Sequence, residues 1–177
     1  YRELAPLSDL AWKAVEEEAR RSIRHFIAGR HLFPLVGPHG YDAEAVPTGV
    51  VEGAGTIEGA DVAIRRPQSY VELRAPFSVS RRAVEVLDRG GDIDLQAVVD
   101  AARRIAGAED RLVFDGLPSA GIDGAVVVSL RGGDFEIHSG LDFSIRYLDH
   151  DRDEVRLELV ETVTFRNLSP EAAIRIT

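Results

Sequence analysis

From Leu95 to Val113 the apolar residues recur at steps of three and four, while from Phe135 to Phe165 they recur at every second position. No single type of element satisfies both periods. The first requires a long helix with one buried stripe and the second requires antiparallel strands, so the fold class is α+β. The helix is "DLQAVVDAARRIAGAEDRLVFDG", with Asp94 as its N-cap and Leu95, Val98, Val99, Ala102, Ile105, Ala106, Leu112 and Val113 as its stripe. At 1.5 Å per residue it spans about 30 Å, enough to be the spine of a domain. "DFEIHSG", "LDFSIRYLDHD" and "DEVRLELVETVTFRNL" form a meander, turning at 139–140 and 149–153. "EAAIRIT" adds a further strand. The two halves meet in "GIDGAVVVSLRGGD", residues 121–134, where little but Gly, Ala and Val joins them.

Upstream, "SDLAWKAVEEEARRSIRHFIAG" is a second amphipathic helix. Ser8 caps it, and Trp12, Val15, Ala19, Ile23, Phe26 and Ile27 form its stripe. Gly29 is placed to end it in the left-handed conformation. Pro34, Pro38 and Pro47, with Gly37, Gly40 and Gly49, make the next segment irregular. Strand-like pieces follow at Val50–Glu52, Val62–Arg66 and Tyr70–Phe77. Their apolar surface is too small for a core, which predicts a long two-stranded arm that needs a neighbour to lie on. "SRRAVEVLDRGG" reads as a short helix capped by Ser80 and stopped at Gly90.

A chain of 177 residues suits one domain with a sizeable core. It has no Cys, which excludes disulfides and thiolate chemistry and fits the cytoplasm. The net charge of −9 argues against a nucleic-acid binder, and no stretch is long and apolar enough for a membrane-spanning helix.

Searching for chemistry yields little. His25, His31, His39, His138 and His150 show no metal-ligand spacing, so no metal ligand is assigned. His25, His138 and His150 read as solvated surface groups. "DHDRDE" at 149–154 lacks the Gly and the terminal Glu of a calcium loop and reads as a hydrated hairpin tip. "AED" at 108–110 reads as a polar helix face. "RGGD" at 131–134 is followed by neither Lys-Ser/Thr nor a helix, so it is no phosphate cradle. No nucleophile elbow is present, no catalytic residue is assigned, and the chain is expected not to be an enzyme. An arm and an irregular N-terminal segment without internal partners suit a self-assembling protein.

In order along the chain, "LAPLSDLAWKAVEEEA", "IAGRHLFPLVGPHG", "VELRAPFSVSRRAVEVLDRG", "AEDRLVFDG", "RGGDFEIHSGLDFSIRYLDHDRDEVRLELVETVTF" and "PEAAIRI" resemble the encapsulin family. These are nanocompartment shell proteins with the fold of tailed-phage major capsid proteins. The resemblance implies a phage-capsid-like fold, with the N-terminal helix and arm in 1–45 and the extended loop in 46–80. The peripheral domain follows, its first part with the spine helix in 81–124 and its C-terminal sheet in 125–177. It implies a homo-oligomeric icosahedral shell of sixty subunits in the cytoplasm. Cargo is expected to be a dye-decolourising peroxidase or a ferritin-like protein, carried by a C-terminal peptide docked on the inner wall, with no specific nucleic acid and no membrane as partners. The alternative on the same fold is a phage or prophage major capsid protein enclosing DNA. A protease or bacteriocin would need a nucleophile with a base, and none is signalled.

The family's peptide groove lies between the N-terminal helix and the C-terminal sheet. Matching positions are Ile23, Phe26, Ile27, Arg30, Asp142 and Ile145. Their chemistry suits apolar burial of Leu or Ile, with Arg30 and Asp142 fixing direction. Pro34 stands where some relatives carry an acidic residue. Some relatives bind flavin through a Trp near the position of Arg82, but here the only Trp is Trp12, so no cofactor is expected.

Encapsulins carry an axial domain between the spine-helix exit and the final sheet. Here it would fall between "GLPSAGIDG" and "AVVVSLRGGD", and it is absent. Either the sequence omits a stretch of a longer protein or the domain has been deleted. The start at Tyr1 favours the first. Intact mass separates them, since a value near 19.4 kDa means deletion.

Overall fold

The computed structural model describes residues 2–124, 127–128, 132–169 and 173–174. Arg131 of the "RGGD" run lies outside them.

Helix α1 (Asp9–Phe26) begins where expected, because the Ser8 hydroxyl accepts from the Ala11 amide at 3.1 Å. Trp12, Val15, Ala19 and Ile23 are buried along one side. The helix stops at Phe26, before the expected Gly29. Gly29 instead opens a one-turn helix, α2 (Gly29–Leu32), whose first amides are held from outside: Asp110 accepts from Ala28 N at 3.0 Å and from Gly29 N at 2.7 Å. A carboxylate at a helix start is favoured by the helix dipole, so the chain bends here instead of fraying.

Strand β1 (Leu35–Val36) leads to β2 (Ala45–Ile57) and β3 (Ala60–Ser69). These last two form an antiparallel hairpin, the expected arm, and nearly every residue in it is exposed. The third extended piece does not belong to the arm. It is β4 (Val71–Ser80), which pairs residue for residue with the main sheet from Val71 to Ser80. The span 46–80 therefore holds an arm and a core strand.

Helix α3 (Arg81–Asp88) is capped by Ser80, as read. The spine, α4 (Gln96–Phe114), starts one residue later than expected. Leu95 is its N-cap, and Asp94 lies one residue further out, where it still accepts from Gln96 N at 2.8 Å.

Beyond the spine, β5 (Gly116–Leu117) and β6 (Ile122–Asp123) make a two-stranded stem around a turn at Pro118–Ala120. The stem is closed by two glycines. A Cβ on Gly124 would lie 2.3 Å from the Phe114 carbonyl oxygen, and one on Gly116 would lie 2.5 Å from Gly124 N. Gly116 also holds φ +75°, a region open to glycine and costly for other residues. Of the expected strand 171–177, β11 (Ala173–Ile174) lies within the described residues and pairs with β7 (Val127–Val128).

The expected meander is replaced by a sheet built on one strand. β10 (Glu154–Asn167) pairs with β4 along one edge. Its other edge takes β9 (Ser144–His150) and β8 (Phe135–Ser139) end to end, and β1 extends β8 in parallel. A 14-residue strand is long enough to serve both short ones, which is why they need not pair with each other. α4 and α1 cover this sheet. Val155, Leu157, Leu159, Val163 and Phe165 point inward from β10 with almost no exposure. At the far end an aromatic cluster closes the core, with Phe33 edge-on to Phe165 at 5.1 Å. No described helix is long and apolar enough to cross a membrane.

Candidate functional site

The second half of α1 lies beside the start of β9, and the two leave a groove between them. Its larger part, about 710 Å³, is floored by Ala19, Ile23, Phe143, Ile145, Tyr147 and Leu159. Arg20, Arg146, Tyr41 and Glu158 stand around this floor. A smaller part, about 360 Å³, adjoins it and is lined by Ile23, Ile27, Arg30, Asp142 and Phe143, with Arg20 and Arg24 above. Local sequence explains the floor. Ile145 and Tyr147 share one face of β9, opposite Leu159 and Leu157 of β10. Ile23 continues the buried α1 stripe to the edge of the groove.

Of the residues that the resemblance pointed to, Ile23 and Ile145 line the larger part, and Ile23, Ile27, Arg30 and Asp142 line the smaller one. Phe26 is not among the groove's lining residues. Its half-buried ring packs on the core under the Arg103 guanidinium, 4.8 Å from the ring centre. Pro34 lies in the sheet, its carbonyl accepting from Ile137 N at 3.0 Å.

Beneath the smaller cavity is a buried charge cluster. Arg30 donates from Nε to Glu109 Oε1 at 3.0 Å, from Nη2 to Glu109 Oε2 at 2.8 Å and from Nη1 to Asp142 Oδ1 at 2.7 Å. Its Nη2 also bonds Glu161. Glu109 and Glu161 are fully buried, whereas Asp142 is on the rim. Burial opposes the Arg30 charge, but its bond to Glu109 and the charge of Glu161 outweigh that and raise its pKa. Glu161 is pushed well above the usual carboxylate range, first by burial and then by the charge of Glu109. One guanidinium cannot neutralise two buried carboxylates, and this favours the protonated form of Glu161.

Phe143 sits over this cluster, its ring 4.4 Å from the Arg30 guanidinium carbon. Its φ of +31° is rare for a bulky residue and costs on the order of 1–3 kcal/mol. The stacking on Arg30 helps to hold it there, between the two parts of the groove.

Two sequence expectations change. "AED" is not a polar face: Glu109 is in the core and Asp110 caps α2. The signal was present, since Glu109 stands four residues from both Ile105 and Val113, on the apolar stripe. His138 is not solvated. It is buried, with Nε2 2.8 Å from Glu136 and Nδ1 without a partner. At the hairpin tip, the hydration expected of "DHDRDE" is shared with ion pairs from Arg156 to Asp149 and Asp151.

The fold is similar to that of a solved particle subunit. It superposes on a virus-like particle subunit from Pyrococcus furiosus with a TM-score of 0.61 at 11% identity, covering 90% of this chain and 96% of that one. The family model described as "Encapsulating protein for peroxidase" matches residues 1–126 and 119–164. The type 1 encapsulin shell protein of Brevibacterium linens is 32% identical, with 100% of this chain and 98% of the relative covered. That of Rhodospirillum rubrum is also 32% identical, with 98% and 94% covered. Together the family match and these relatives define a structural, self-assembling shell protein. The chain belongs to the encapsulin family. The Brevibacterium alignment runs over 261 positions against 177 residues here, and the two family matches meet at 119–126. The relatives therefore carry residues that this chain lacks, and the family match breaks where the axial domain was expected to be missing.

Proposed function

We propose that the shell, built in the cytoplasm from sixty copies, captures an enzyme by docking that enzyme's C-terminal peptide in the groove between α1 and β9. The observation that carries this reading is the apolar floor of Ile23, Phe143, Ile145 and Leu159, open along one side within a single subunit. An extended peptide with Leu or Ile at alternate positions matches such a floor. Arg30 and Asp142 at one end give it polarity. A dye-decolourising peroxidase or a ferritin-like protein is the proposed cargo, and the family's description as an encapsulating protein for peroxidase supports the former. The β2–β3 arm is proposed to lie on a neighbouring subunit, because it has no core of its own.

Ile145→Asp tests the reading. Ile145 is half-buried and lines the groove, so a charge there opposes docking without opening the core. Shells of normal diameter by electron microscopy, without co-purifying enzyme, are expected. Normal loading of that variant would refute the groove.

A further inference from the structure

The cations around the groove are almost all engaged. Arg2 pairs with Glu16, Arg21 with Glu18, Arg30 with three carboxylates, and Arg146 with Glu72 and Glu158. Arg20 and Arg24 are the exceptions. Both are exposed, they lie one helical turn apart on α1, and neither has a carboxylate partner among the described residues. Both line the smaller cavity, and Arg20 also lines the larger one. In a chain of net charge −9, two adjacent unpaired guanidinium groups form a local positive end to an apolar groove.

From this we infer that Arg20 and Arg24 receive the terminal α-carboxylate of the docked peptide, an inference that rests on the docking reading above. The apolar residues of the peptide then lie over Ile145 and Phe143, and its last residue lies at the smaller cavity. A carboxylate there accepts charge-assisted bonds from two arginines. Asp142 does not repel it strongly, because Arg30 Nη1 holds that carboxylate at 2.7 Å. The groove therefore recognises a chain end and not only an apolar sequence. An internal copy of the same segment lacks the group that the two arginines bind.

The test uses whole shells, dissociated and reassembled with a fluorescent synthetic peptide copied from the C terminus of the enzyme that co-purifies with them. The peptide is made once with a free carboxylate and once as the C-terminal amide, and the amount retained per shell is read against concentration. The amide is expected to bind about tenfold more weakly, the size of one charge-assisted hydrogen bond. In the double variant R20Q/R24Q, whose exposed sites leave the core untouched, acid and amide are expected to bind alike, at the level of the amide. Equal retention of acid and amide by unaltered shells would overturn the inference and leave the docking reading standing. Retention of neither peptide would overturn both.

Discussion

Glu109 and Glu161, from the spine helix and the central strand, lie against one another in the core and share the single guanidinium of Arg30. The cluster ties α2, α4 and β10 together immediately beneath the groove, so the groove floor inherits its rigidity. It also makes the fold sensitive to pH. The folded-state pKa of Glu161 is raised, so the native state holds a proton that the unfolded chain has lost above the ordinary carboxylate range. The stability this proton supports is complete below the unfolded pKa and declines as pH rises toward the folded one. Glu161→Gln keeps a neutral group that still accepts from Arg30. Its melting temperature is expected to fall less than that of the unaltered protein as pH rises through that window. Parallel melting curves against pH would show that Glu161 titrates normally.

Removing the other carboxylate has a different consequence. Glu109→Ala strips Arg30 of its bidentate partner inside the core. Loss of one member of a buried pair costs about 3–5 kcal/mol. Chemical denaturation of the dissociated subunit measures it, and a loss under about 1 kcal/mol would mean that Glu161 ionises to take over.

Two glycines predict opposite outcomes. A side chain on Gly124 meets the backbone of Phe114, Asp115 and Gly116, none of which can yield cheaply. Gly124→Ala is expected to lower the yield of folded protein sharply. Gly107, exposed within α4, has nothing within 4 Å of a Cβ. Gly107→Ala is expected to stabilise by about 0.5–1 kcal/mol through helix propensity. Thermal unfolding of the two variants side by side tests both signs.

Deleting the β2–β3 hairpin, with a short glycine link from Glu44 to Tyr70, separates folding from assembly. The Tyr70 amide already donates to the Glu44 carbonyl at 2.9 Å, so the ends meet without it. A subunit with normal circular dichroism that forms no closed particles under the electron microscope is expected. Intact shells from this variant would show that the arm is dispensable for contacts between subunits.

The hydrophobic periods were enough to predict the fold class and the two long helices, because each is a repeating signal over many residues, while the arm followed from strand-like pieces too poor in apolar surface for a core. The groove residues Ile23, Ile27, Arg30, Asp142 and Ile145 were reached by resemblance, and the structure assembles them. The pairing of β10 was not legible. Alternation shows which face of a strand is buried and says nothing about which edges it serves, so one long strand carrying two short ones reads like a hairpin series. The buried carboxylates were partly legible. Glu161 shares the inward parity of Leu157, Leu159 and Val163, and a charge at such a position signals a partner. Which arginine supplies that partner depends on the bend at Gly29, which nothing local to either glutamate encodes.

The stem that Gly116 and Gly124 close sets a boundary within the chain. Backbone touches backbone there, so the chain that leaves the spine helix and the chain that runs on toward the sheet are pinned side by side. A substitution at either glycine therefore acts on both stretches at once.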